Sequence, residues 1–242
     1  MFATLRNAWK IPELRKKLLF TMMILVIFRV GSAIPVPYVN VEALSNYFMA
    51  NLSNTVLGLY NAMSGSAFSQ ATLFALGIQP YINASIIIEL LTIAIPALER
   101  LAKEEGEEGR QKINRITRYT TVGLGFLLGF AYYVMLNNYG LLAETGFLPA
   151  VVIVLSFMAG ASLVMWLGEQ ITEFGIGNGI SIILFAGIVS RTPNAVITLV
   201  DGVANKTLQW YAALLLAVGA LLLVAFVVFI TNAERRIPVQ YA

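Results

Sequence analysis

A chain of 242 residues that is 58% hydrophobic and 12% charged, with a mean hydropathy of +0.77, lies outside the range of a soluble domain and reads as a multi-pass membrane protein. Cys and His are both absent, which removes disulfides, zinc sites, haem ligands and His-based triads; most enzyme chemistry goes with them, and no cofactor or metal is expected. The formal net charge of +3 says little as a total, because in a membrane protein the sidedness of Lys and Arg carries the information.

Taken in chain order, residues 1–17 form a basic interfacial segment in which Phe2, Leu5 and Trp9 alternate with Arg6, Lys10, Arg15, Lys16 and Lys17. A first span follows over 18–34. It is interrupted by Arg29 and ends without a good cleavage signal, so it is read as a span and not a signal peptide. Arg29 sits near the outer end, where its side chain is expected to snorkel to the interface, with a buried ion pair as the alternative. Residues 56–68 (VLGLYNAMSGSAF) are apolar but rise only roughly 20 Å as helix, against ~30 Å of hydrocarbon. They cannot span. Residues 74–95 would rise ~33 Å and can. Non-helical backbone at membrane depth, such as Ser64-Gly65-Ser66, survives only when buried in protein or lining a water-filled cavity. The pairing of a half-helix with a full helix therefore suggests a pore.

In that second span Pro80 and Gly77 should bend or loosen the helix. Helical spacing puts Ile78, Ile82, Ser85 and Glu89 near one stripe, with Gln79 and Asn83 adjacent. Two readings fit that polar set: the wall of a cavity, or a packed bundle helix whose polar groups bond to neighbours. A charged loop is expected over 99–118, either a solvated turn or a docking surface. Then come a third span over 119–136, a fourth over 149–167, a tight turn at 168–175, a fifth span from 177 to 189 or on past Pro193, and a sixth over 208–230. Glycines 175, 177 and 179 lack the spacing and the preceding strand of a dinucleotide fingerprint, and read as a flexible, closely packed start to the fifth span. No GxxxxGK[ST] occurs, so any nucleotide energy comes from a partner.

The six-span count is supported by charge. Arg6, Lys10, Arg15, Lys16 and Lys17, then Arg100, Lys103, Arg110, Lys112, Arg115 and Arg118, then Arg235 and Arg236 all fall on one side, whereas the opposite side holds Arg191 and Lys206. The positive-inside rule puts both ends in the cytoplasm.

Several long words then identify a family: FRVGSAIPVP at 28–37, Met63-Ser64-Gly65, FALGIQPYINASIII at 74–88, EGEEGRQKINRITRY at 105–119, WLGEQITEFGIGNGISIILFAGIV at 166–189 and AERRIPVQYA at 233–242. Over nearly its whole length the chain resembles the bacterial SecY family of protein-conducting channel subunits. That resemblance implies an all-α, SecY-type helical bundle in the bacterial cytoplasmic membrane, built as two inverted halves of five spans around an hourglass pore. The chain would supply the first half of the repeat (18–200) plus one helix and the start of a cytoplasmic loop (201–242). It further implies a non-enzymatic function, the passage of unfolded preproteins across the membrane and of membrane segments sideways into it.

Residue by residue, the resemblance implies a pore ring containing Ile78, Ile82, Ile180 and Leu184, completed by helices beyond this chain. Aliphatic groups at a narrow waist block ions by dewetting while offering a sliding polypeptide no specific bonds. It implies a re-entrant plug over 56–70, with Val56, Leu57, Tyr60, Met63, Ser64, Gly65 and Phe68, and a lateral gate carrying Asn83, Ser85, Ile86 and Glu89. Arg110, Lys112, Arg235 and Arg236 become cytoplasmic docking residues. Implied partners are SecE and SecG, the SecA ATPase or a ribosome, preprotein signal sequences, the lipid bilayer and the remaining SecY helices. Glu89 stands where the family usually has Gln, Gln79 for Met, Ser66 for Gly and Leu184 for Ile; Glu89 leaves the solvation of the gate helix open. The alternative class is a secondary transporter with interrupted helices, but such proteins place polar or charged groups at the midplane, where this chain is aliphatic.

Overall fold

The computed structural model describes residues 11–103 and 106–233. Arg235, Arg236 and most of the basic segment 1–17 lie outside the described residues. The chain divides into two compact units, one to Arg191 and one from Thr192; the expected division after residue 200 falls inside a helix of the second.

In the first unit, α1 (Pro12–Gly31) starts at Pro12, where a missing N–H costs nothing, and buries Thr21, Ile24, Phe28 and Gly31 along one face. The chain then runs extended: Pro35 bridges Thr72 and Val39 bridges Leu142. These pairings bring together two segments without Lys or Arg, which the charge pattern assigns to the outer side. Asn40 caps α2 (Val41–Tyr47), its side chain accepting from the Ala43 N–H at 3.1 Å, and α2 runs into a one-turn π segment, Phe48–Leu52. The sequence reading assigned no element here.

Helix α3 (Val56–Met63) begins where Thr55 accepts the Leu57 N–H. It has 8 residues, so the half-helix expected over 56–68 is only roughly 12 Å long. Gly65 (φ 67°) and Ser66 (φ 74°) take left-handed conformations that stop it. Helix α4 (Gln79–Ala94) also corrects the sequence reading. Its 16 residues rise roughly 24 Å, not the ~33 Å expected for 74–95. Gly77 is left-handed at φ 54°, and Pro80 starts the helix where it was expected to bend it. The far end is set by Pro96, which excludes the helical conformation at Ile95 (φ −110°, ψ 112°); α5 (Pro96–Lys103) departs at 102°.

The expected loop at 99–118 is mostly helical: α5 covers its beginning, and α6 (Gly106–Asn138) the rest together with the third span. This stretch contains no Pro after 96 and carries helix-compatible pairs, Glu99–Lys103 at 2.7 Å and Glu107–Arg110 at 3.7 Å. The hydrogen bond to Glu99 raises the Lys103 ammonium above its usual pKa, though so exposed a pair contributes little stability. Helix α7 (Phe147–Phe174) likewise runs straight through the turn expected at 168–175. Gly168 is helical and buried because α8 (Gly179–Val189) lies on it: a Cβ at Gly179 would stand 2.0 Å from the Gly168 carbonyl oxygen. The chain reverses only between these two helices, and Asn178 caps α8 through the Ser181 N–H at 3.1 Å. The glycine-rich stretch is thus closely packed, as expected.

The second unit holds α9 (Thr192–Ala204) and α10 (Trp210–Thr231). α10 reproduces the expected sixth span to within two residues. By length and composition four stretches among the described residues can cross a membrane, or five if α4 and α5 form one bent span. The expected crossing outside that count is α1, whose 20 residues include Glu13, Arg15, Lys16, Lys17 and Arg29.

Candidate functional site

The four residues expected at the waist come from two places in the chain. Ile78 is the residue before α4 and Ile82 lies in its first turn, while Ile180 and Leu184 lie one turn apart on α8. The structure gathers all four into one apolar cluster with Ile24 and Phe28 of α1, Phe74, and Val164, Leu167 and Ile171 of α7. Ile78 is buried and the other three are half-buried. Phe28 and Phe74, in the same cluster as Ile78, stack face to face with centroids 5.8 Å apart. Ile183, 2% exposed, was missed by the sequence reading; its position three residues after Ile180 and one before Leu184 was the available signal.

Helix α3 ends against this cluster. Tyr60, Met63 and Ser64 line a small cavity with Phe28, Leu76, Ile78, Gln79, Ile183 and Leu184, and the space left for a water centre is ≈ 10 Å³. That is about the minimum for one water molecule, so the contact is close. Three side-chain bonds tie α3 to the segment that follows it and to the first residue of α4. The Tyr60 hydroxyl donates to the Leu76 carbonyl at 2.8 Å, the Ser69 N–H donates to Asn61 Oδ1 at 2.9 Å, and Gln79 Nε2 donates to Met63 Sδ at 3.4 Å. On the α8 side, Gly187 admits the chain: a Cβ there would lie 2.4 Å from the Met63 carbonyl oxygen.

The residues expected in the plug divide sharply by environment. Val56 is 79% exposed, and Leu57, Tyr60, Met63 and Gly65 are half-buried, with Ser64 buried at the helix end. Phe68, 5% exposed, belongs to a second core cluster, against which Leu57 and Tyr60 also pack. It stacks on Tyr132 of α6 with centroids 4.5 Å apart, meets Phe48 and Tyr60 edge-on, and accepts the Tyr132 hydroxyl on its carbonyl. Tyr132 in turn meets Phe157 of α7. This aromatic column was not anticipated, because its members are scattered through the chain.

The stripe drawn along the second span splits in two. Ile78 and Ile82 face the apolar cluster, whereas Ser85 and Glu89 line a polar groove of ≈ 380 Å³ with Tyr81, Arg110, Asn114 and Thr117, between α4, α5 and α6. Asn83, Ile86 and Glu89 are exposed. Arg110 pairs with Glu107. An unforeseen ion pair, Arg118 Nε to Glu169 Oε1 at 2.8 Å, ties α6 to α7 near the Lys- and Arg-rich end.

The arrangement can be compared with known proteins. The SecY family model matches residues 72–242. The chain is 41% identical over 243 residues to the protein translocase subunit SecY of Aquifex aeolicus, covering 98% of this chain and 56% of that one. It is 43% identical over 234 residues to the subunit of the same name from Escherichia coli K12, covering 95% of this chain and 52% of that one. The chain thus spans about half the length of the curated relatives it matches. Among solved structures it is similar to "Sec61 in the Canine ribosome-channel complex from the endoplasmic reticulum", with a TM-score of 0.60 at 19% identity over 93% of this chain and 49% of that one. A chain described as "The structure of a protein conducting channel" gives 0.58 at 19% identity, over 89% and 47%. At these identities the likeness establishes the fold.

Proposed function

We propose, from the premise that this chain belongs to the SecY family, that it forms the first half and one further helix of a protein-conducting channel in the bacterial cytoplasmic membrane. In this reading Ile78, Ile82, Ile180 and Leu184 are part of the ring that closes the pore, and α3 is the plug. Asn83, Ser85, Ile86 and Glu89 mark the lateral gate. SecE, SecG and the remaining SecY helices complete the assembly, and SecA or a ribosome docks through Arg110, Lys112, Arg235 and Arg236. The observation that carries it is the close seating of a helix too short to cross the bilayer against an apolar cluster that includes Ile78 and Ile82 and, from α8, Ile180 and Leu184. Such a waist excludes ions without binding what passes. A transporter would need polar groups there.

The test is deletion of Val56–Met63 in a channel completed to the length of its relatives and reconstituted with SecE and SecG. Precursor transport is expected to persist while resting ion leak rises. Loss of transport with no added leak would make α3 a structural brace.

The same reading gives six crossings with both ends cytoplasmic. Cysteines introduced at Asn46 and Ala143 should react with an impermeant reagent added outside, and those at Gln111 and Ala233 only with reagent admitted to the cytoplasmic side. Reaction of either pair from the opposite side would end this topology.

A further inference from the structure

Leu76 is 3% exposed, and its carbonyl needs a donor. The sequence denies it the usual one: the residue four positions on is Pro80, which has no N–H, and α4 begins only at Gln79. The Tyr60 hydroxyl fills the gap at 2.8 Å, reaching across sixteen residues of chain from α3 to the residue two before Ile78.

Tyr60 packs against the cluster that contains Leu76, but the two ends of this bond are tied down by different numbers of main-chain bonds. The stretch around Leu76 is fixed by main-chain bonds to the strap after α1, Val36 N–H to Ala71 O at 2.9 Å and Leu73 N–H to Ile34 O at 2.8 Å, and by the Tyr132 bond to Phe68. Helix α3 joins it through the left-handed pair Gly65 and Ser66, where rotation requires no helix to break. Of the other two side-chain ties, Asn61 to Ser69 closes the intervening turn itself, and Gln79 to Met63 uses a thioether, a weak acceptor. Only Tyr60 joins α3 to the edge of the waist by a strong acceptor.

We propose that Tyr60 is a positioning residue that latches α3 in its seated state, with its hydroxyl as the bolt and the proline-freed carbonyl of Leu76 as the catch. This rests on the plug reading above. When α3 leaves, the phenol and the carbonyl part, and water entering the vacated space can satisfy both. Removing the hydroxyl therefore penalises the seated state alone, because only there is the carbonyl buried without a partner.

The experiment compares Tyr60→Phe, the parent and the Val56–Met63 deletion in the completed, reconstituted channel. Tyr60→Phe keeps the ring that meets Phe68 and loses one oxygen. A net hydrogen bond of ordinary strength predicts a rise of about fivefold to tenfold in resting leak, passage of precursors with weaker signal sequences, and a fall of only about 2–5 °C in melting temperature. A parental leak in Tyr60→Phe beside a raised leak in the deletion overturns the latch and leaves the plug. A parental leak in both overturns the plug as well. A raised leak accompanied by a large fall in melting temperature overturns the latch by making Tyr60 a general structural residue.

Discussion

Replacing Ile82 and Ile180 together by Ser is expected to raise resting chloride or sodium leak through the completed channel by more than about tenfold, and to relax its demand for a strongly hydrophobic signal sequence. The barrier at an aliphatic waist is the cost of wetting apolar surface. At about 0.8 kcal/mol per methylene, each change lowers that cost by ~2 kcal/mol, and ~1.4 kcal/mol is already a factor of ten in the wetted population. The choice of sites is set by burial. Ile82 and Ile180 are half-buried members of the cluster, so their outer surfaces are available to a lumen. Ile78, 4% exposed and clustered with Phe28 and Phe74, would leave a packing defect on truncation and confuse leak with misfolding. Ile→Leu at both positions keeps the apolar volume and should behave nearly as the parent. A transporter would instead lose saturable uptake of a small solute and gain no nonselective conductance. Single-channel recordings that find the Ser pair as tightly closed as the parent would show that these side chains are not the seal.

How much of this was legible in the sequence depended on the range of the interaction that decides each feature. Where a local signal decides, the reading was close. Thr55 marks the start of α3 by its cap, and Pro96 ends the second span. The uninterrupted apolar run of α10 gives its limits to within two residues. Where a contact between distant segments decides, the reading failed. Gly168 looks like a turn residue, but it is helical because Gly179 packs against its carbonyl. Residues 74–78 have the composition of a span, yet Leu73 N–H is taken by Ile34 O and the Leu76 carbonyl by Tyr60, so that stretch is drawn into turns. The proposed waist residues came from the family resemblance, not from periodicity. The helical stripe had joined Ile78 to Glu89, residues that prove to face an apolar cluster and a polar groove respectively.

Truncating Phe68 tests where the proposed plug ends, although the family resemblance would place it within the plug. Its ring stacks on Tyr132 and meets Phe48 and Tyr60, and its carbonyl takes the Tyr132 hydroxyl. Beyond it the chain is bonded to the strap at Ile34 and Val36. A plug that moved with Phe68 would have to dismantle that column, exposing several aromatic faces at once, whereas a plug that ended at Gly65 and Ser66 would move by rotation about two left-handed residues. Phe68→Ala should therefore act on stability. The expected loss is about 3–5 kcal/mol, or a fall of roughly 6–20 °C in melting temperature for a unit of this size, measured by thermal unfolding of the purified protein in detergent. Val56→Ala, at a position 79% exposed, should stay within about 0.5 kcal/mol of the parent. If Phe68→Ala instead melts like the parent and leaks like the deletion of α3, the column is not an anchor, and the moving segment extends past residue 68 toward the waist.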